Sequence, residues 1–231
     1  MTNILAIETS CEQGSLALLC GDSILTRKLP DGGSKHSASV LPESKALLAE
    51  SGIALSALDT LAFGCGPGAF TGVRLACGVA QGLALGADLP VAAISSLEAL
   101  ALPWRSQAPR IYCAMDARMS EVYVAMFEVE KSGLVQQSEA ICCPPDAMPL
   151  PEGEYLGLGN ALAAYGVVIK ARLGAAVRWA SEPSVPSAES VARLAAAKPE
   201  SWLDAALAAP DYVRNRVAFT TAERLAQGGR A

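Results

Sequence analysis

Residues 64–78 read GCGPGAFTGVRLACG, a glycine-rich turn followed at once by a helix of small residues. Few chain geometries accept this combination. A strand running into such a turn and then into a helix presents free backbone N–H groups and the positive end of a helix dipole, which can hold an anion. The same small residues let two backbones approach closely. The segment is not a P-loop, because the Gly-Lys-Ser/Thr ending is missing. Thr71 or Gly72 stands at the expected helix start and would receive any anion there. The helix, expected over 70–86, carries Gly72, Ala76, Gly78, Ala80, Gly82, Ala84 and Gly86. Each glycine inside a helix costs about 1 kcal/mol relative to alanine, so close packing must compensate. Small residues occur all round, which points to a second close neighbour, such as a helix of another chain.

The 231 residues suffice for one large domain or two lobes, and 52% are apolar with few aromatics, as a packed core requires. The net charge of −5 and the absence of a basic tract argue against a chain that grips nucleic acid by itself. The start, MTNILAIETS, lacks a charged region and an apolar region of signal length. No apolar run reaches the roughly 18 residues of a membrane span, and the nearest, 69–87, contains Arg74 and Gln81. A cytoplasmic protein is expected. The seven scattered cysteines, without a C-x-x-C spacing, read as reduced core thiols. His36 is the single histidine, which weighs against metallohydrolase and Ser-His-Asp or Cys-His chemistry. Four residues on, where a metal pair would need a second histidine, stands Val40, so His36 reads as a polar residue at a helix start.

The first third reads β-β-β-α-β-α. Strands are expected at 4–7, 15–20, 23–29, 58–65 and 90–94, and helices at 37–51, 70–86 and from Ser95 or Ser96 to Leu102. Pro42 then falls near the first turn of its helix, and Gly52 marks that helix's end. Shifting the chain by 108 positions lays Ile4–Leu19 over Tyr112–Phe127 and Glu8 over Asp116. Two related lobes follow, 1–105 and 106–231, joined near Pro103–Pro109. In the second, a proline-rich connector (Cys143–Gly153) precedes a strand at 155–158, a turn with Gly157 and Gly159, and helices from Ala161 and Ser187.

The duplicated hairpin openings resemble the actin, hexokinase and Hsp70 type of ATPase, whose lobes each offer an acid and a phosphate-embracing turn. Glu8-Thr9-Ser10 and Asp116-Ala117-Arg118 occupy those positions, and Gly157/Gly159 that of the adenosine turn. Glycines that would let backbone N–H groups reach phosphates are scarce, Gly14 alone in the first turn and none after Asp116, while Glu12 adds negative charge. Weak phosphate binding is expected.

ILAIETS, GPGAFTGVRLACGVAQGLALG, MDARMSEVY, GLGNALAAYG and PDYVRN occur in that order. Together they resemble the bacterial TsaB family, also called YeaZ, over 4–216. The resemblance implies an α/β, actin-like (ASKHA, ribonuclease H-like) duplicated two-lobed fold. Each lobe would be a mixed sheet that opens with a β-hairpin and is flanked by helices. It implies a non-catalytic subunit of the machinery that makes N6-threonylcarbamoyladenosine at adenosine 37 of ANN-decoding tRNAs. This subunit pairs directly with the catalytic relative TsaD through the two first-lobe helices. TsaE, an ATPase, joins the pair, and the chain alone forms homodimers through the same surface. No catalytic residue, metal or cofactor is expected on this chain, ATP and metal belonging to the partners. TsaD holds its metal with an H-x-x-x-H pair, for which this chain offers only His36 and Val40. Helical spacing picks Leu41, Leu48, Val73, Ala76, Cys77 and Ala80 as facing the partner. Gly66, Gly68, Thr71 and Gly72 remain as a vestigial anion or nucleotide turn, weakened by Ala69, where the family commonly has serine. The rival readings are an ATP-dependent phosphotransferase of this fold and a protease acting on a partner through Ser10 or Cys11. Arg214, Arg216, Arg224 and Arg230 form a basic tail that would touch tRNA or a partner within a complex.

Overall fold

Strand β1 (Asn3–Glu8) is buried on both faces. Leu5 and Ile7 enter one apolar cluster, Ile4 and Ala6 another. That is why its sequence reads as a continuous apolar run and not as an alternation. The computed structural model describes residues 2–214. In it β1 pairs antiparallel with β2 (Ser15–Cys20), which pairs with β3 (Ser23–Lys28). On its other edge β1 lies parallel to β4 (Thr60–Gly66), which pairs with β5 (Val91–Ser95). The order is β3-β2-β1-β4-β5.

Helices α1 (Gly33–Ser51) and α2 (Phe70–Ala87) follow β3 and β4 and cover one face. α1 begins four residues earlier than its sequence predicts. Pro42 therefore lies well inside the helix and not in its first turn. Gly52 closes it at φ 71°, as a left-handed C-cap favours glycine. α2 turns Val73, Ala76, Cys77, Ala80 and Ala84 inward, a stripe spaced three and four residues apart. Among the described helices α2 alone has the length and apolarity to cross a bilayer. Its inner stripe lies on the sheet, however, and Gln81 donates to the Ala205 carbonyl. A short α3 (Ser96–Ala101) is capped by the Ser95 hydroxyl, which accepts from Glu98 N–H.

The second lobe repeats this topology. β6 (Arg110–Arg118), β7 (Glu121–Glu130) and β8 (Gly133–Gln136) form a meander. β10 (Tyr155–Leu158) and β11 (Val177–Trp179) add parallel strands, giving β11-β10-β6-β7-β8, with β9 (Ile141–Cys143) against β7. The repeat read at a shift of 108 is thus a repeat of fold. The hairpin registers differ by one residue: Ala6 lies opposite Ala17, but Ala114 opposite Val124 and not Ala125. The second hairpin turns more tightly, with an irregularity between Asp116 and Arg118. α4 (Ala161–Leu173) covers this sheet with Ala161, Ile169 and Leu173.

The lobe division at 105 needs one correction. α5 (Ala188–Ala197) returns to the first lobe and covers the face opposite α1 and α2. There Ala188, Val191, Ala192 and Ala195 meet Ile4, Ala6, Ala62 and Ala92. Small residues on both sides allow this close approach. Val91 and Leu203 exchange backbone bonds of 2.8 and 2.9 Å, extending the first sheet's edge. Residues 188–208 therefore belong to the first lobe, although they follow the second in sequence.

Candidate functional site

The β1–β2 and β6–β7 turns face each other across a cleft of about 690 Å³ between the lobes. Glu8, at the end of β1, is fully buried. Its Oε1 accepts from Ser10 N–H at 2.6 Å and its Oε2 from the Ser96 hydroxyl at 2.9 Å. Burial pushes its carboxyl above the ordinary 4.5, against the pull of these bonds. In the second lobe Asp116 Oδ1 accepts from Arg118 N–H at 2.8 Å and from the Tyr165 hydroxyl at 3.1 Å. The structure thus places both acids at the positions the repeat assigns them.

The glycine-rich turn is pressed against the first hairpin. A methyl on Gly72 would lie 1.9 Å from the Thr9 carbonyl oxygen, one on Gly68 2.5 Å from Ser10, and one on Gly64 2.0 Å from Glu8 Oε2. Ala69 N–H, at the N-terminus of α2, donates to the Ser10 carbonyl at 2.7 Å, and the Thr9 hydroxyl donates to the Gly72 carbonyl at 2.7 Å. The turn and the first hairpin therefore pack backbone to backbone at Gly72 and Gly68. Gly66 sits at φ 111° before a cis Pro67, and Thr71 is exposed on the outer side of α2. Gly66, Gly68 and Gly72 serve backbone contact, Gly68 with Ala69 and Phe70 also lines the cleft, and Thr71 stands apart on the outer face of α2. In the supposed adenosine turn, Gly159 (φ 116°) would put a methyl 2.0 Å from the Ala114 carbonyl, and Gly157 one 2.6 Å from Trp179. These glycines also serve close approach.

The cleft is lined by four carboxylates, Glu12, Asp31, Asp116 and Asp211, against two guanidiniums, Arg118 and Arg214. Arg118 pairs with Glu12 across the cleft and with Asp116 at 3.3 Å. The lining thus carries more negative than positive side chains. Cys11 beside it is a poor nucleophile: burial, with Glu8 adding to it, pushes its thiol up to about 12. Ser10 Oγ is buried. His36 stands in the first turn of α1, at the helix start expected from its sequence. It is fully buried, and its Nε2 accepts from Gly14 N–H at 3.2 Å, which commits it to the first hairpin. Among the described residues, no three His, Cys, Asp or Glu side chains are grouped to hold a metal.

The residues assigned to a partner separate into two sets. Leu41 is 42% exposed and Leu48 half-buried, but Val73, Ala76, Cys77 and Ala80 are at most 5% exposed. Ala76, Cys77 and Ala80 lie in the core under the sheet of their own lobe and Val73 is buried beside the cleft, so the expectation that they face outward is corrected. Helical spacing cannot tell the inner stripe from the outer one when both are made of small residues. The outer stripe of α2 is Thr71, Arg74, Gly78, Gly82 and Leu85, with Gly86 beside it. A methyl added at Gly78, Gly82 or Gly86 would meet nothing within 4 Å, and Leu85 is 61% exposed.

Sequence reasoning did not foresee the cross-lobe Arg118–Glu12 pair or the guanidinium of Arg74 stacked 3.6 Å over the Phe70 ring. The i, i+4 spacing of Phe70 and Arg74 could have signalled the stack. Of the basic tail, Arg214 reaches the cleft, while Arg216, Arg224 and Arg230 lie outside the described residues.

Comparison with known proteins accords with this geometry. Residues 27–176 match the family model for TsaD, tRNA N6-adenosine threonylcarbamoyltransferase. The Escherichia coli tRNA threonylcarbamoyladenosine biosynthesis protein TsaB is 36% identical over 225 residues, covering 94% of this chain and 96% of its own. The Haemophilus influenzae TsaB is 37% identical over 231 residues, covering 94% and 95%. A crystal structure of a Pseudomonas aeruginosa protein with similarity to the peptidase YeaZ superposes with a TM-score of 0.83 at 36% identity, covering 93% of this chain and all of that one. With a two-lobed actin-like fold and full-length relatives of this kind, the chain belongs to the TsaB (YeaZ) family.

Proposed function

We propose that this chain works in threonylcarbamoyladenosine biosynthesis as a non-catalytic, cytoplasmic scaffold. It would bind TsaD directly and support transfer of a threonylcarbamoyl group to adenosine 37 of ANN-decoding tRNAs. The observation that carries this reading is the closed contact of Gly68 and Gly72 with Ser10 and Thr9. That contact, with a cleft lined by four carboxylates against two guanidiniums, supports a turn that serves packing and not phosphate binding. The chain by itself then needs no ATP or metal, which belong to the partner subunits. The docking face is the outer side of α1 and α2, where Gly78, Gly82 and Gly86 leave room for another helix backbone. The isolated chain uses the same face to form a homodimer. TsaE joins the assembled pair, and tRNA is contacted indirectly.

The test is light scattering behind size exclusion, with the purified chain alone and mixed with TsaD. Gly82→Leu should abolish the mixed complex and leave the fold intact. A complex of unchanged affinity would sink the docking face. The rival phosphotransferase reading expects tight Mg-ATP binding by the isolated chain, which calorimetry measures.

A further inference from the structure

After residue 208 the chain leaves the first lobe along the rim of the cleft, and its contacts change lobe between Tyr212 and Val213. Asp211 N–H donates to the Cys65 carbonyl at 2.7 Å, at the end of β4. The Tyr212 hydroxyl accepts from Arg74 Nε at 2.6 Å, and its ring lies 6.1 Å from that of Phe70. Both partners belong to the first turns of α2. Val213 packs against a cluster built mostly from the second lobe, which also takes in Leu97, Leu100 and Ala101 of α3. Arg214 Nη2 donates to the Ala117 and Arg118 carbonyls, each at 3.1 Å, and pairs with Glu121 at 2.5 Å. Four consecutive residues thus fasten one lobe to the other.

The second-lobe anchor is not an ordinary turn. Arg118, Met119 and Ser120 all have positive φ, at 61°, 55° and 60°. A two-residue hairpin loop with positive φ at both central positions favours Asn and Gly. Met119 and Ser120 carry side chains that resist this conformation. Strained backbone of this kind persists only where its surroundings over-determine it. Here Arg214 holds the carbonyls just before the turn and the carboxylate just after it. The same turn carries Arg118, whose guanidinium crosses the cleft to Glu12.

We propose that Asp211–Arg214 is an interlobe latch. By pinning the strained turn Arg118–Ser120 to the start of α2, it sets the width of the cleft. Releasing either end lets the turn relax and frees Arg118 from Glu12, while both sheets stay folded. The device links the start of α2 to the far wall of the cleft, so a change at one is felt at the other.

Amide hydrogen exchange on the full chain tests this at a distance. Tyr212→Ala and Arg74→Ala each remove the side-chain part of the first-lobe anchor, leaving the Asp211–Cys65 backbone bond, without touching the second lobe. The latch requires exchange across 118–121 to accelerate about tenfold in these variants, with β1 and β4 unchanged. Arg214→Ala sets the size of full release. Acceleration confined to the turn in either remote variant supports the latch. An unchanged rate at 118–121 in both, or an acceleration that spreads equally to β1 and β4, overturns it.

Discussion

Replacing Gly78, Gly82 and Gly86 together by alanine should make the isolated chain more stable and its complexes weaker. All three glycines are helical, none has a φ that excludes a side chain, and an added methyl meets nothing within 4 Å. Each substitution should therefore recover most of the helix-propensity difference, about 1 kcal/mol. The three sites share no partner, so about 2–3 kcal/mol is expected in total. For a chain of this length that is a rise in Tm of about 5–10 °C, read by calorimetry at a concentration low enough to keep the chain monomeric. If these glycines exist to admit a neighbouring helix backbone, the methyls must push that helix away. A loss of TsaD affinity of at least about tenfold, some 1.4 kcal/mol, is then expected by titration calorimetry. The two readouts refute different steps. A fall in Tm would mean that the outer stripe is not open. A rise in Tm with unchanged affinity would mean that α2's outer face is not the docking surface.

Other outcomes follow from the same structure. Gly72→Ala should destabilise by about 3 kcal/mol or more, since a methyl 1.9 Å from the Thr9 carbonyl must displace backbone; urea unfolding measures it. Because burial raises the Glu8 carboxyl above 4.5, the folded chain holds this proton more tightly than the unfolded chain. The parent should therefore lose stability as pH rises from 4.5 toward the folded value, and Glu8→Gln should flatten that slope in unfolding curves collected across pH. Cys11 and Cys65, both pushed up to about 12 by burial, should alkylate at pH 8 far more slowly than a free thiol, as timed mass spectrometry would show. Mg-ATP should bind the isolated chain more weakly than about 1 mM in calorimetry, given the acidic cleft.

The lobes were legible because strands and hairpins leave local marks. Leu16–Leu19 and Val124–Phe127 are apolar runs behind similar turns, and the sheet orders match. The return of α5 to the first lobe was not legible. An alanine-rich face fits either sheet, and only the complementary alanines of β1, β4 and β5 decide between them. The glycine turn showed its tightness but not its partner, because nothing local to 64–72 encodes contact with Thr9 and Ser10. The two first-lobe helices were legible, but the faces of α2 were misassigned. A helix small on every side has no sequence signal that separates inside from outside, and the sheet decides. Tyr212 could not be foreseen at all, since its anchor on Arg74 is 138 residues away.

The two lobes repeat each other in every strand of their main path but differ in one connection. Between β3 and β4 the chain builds the long helix α1, which lies beside α2. The corresponding stretch between β8 and β10 holds only the short β9 and a single 3-10 turn at Pro145–Ala147. A duplicated molecule with a helix pair on each half would be bivalent, and repeated head-to-tail pairing could run on into a filament. With one such helix pair among the described residues, the proposed docking face would give the chain a valence of one. Under the proposed docking, whatever occupies that face would end the assembly, and a second copy and TsaD would compete for the same place.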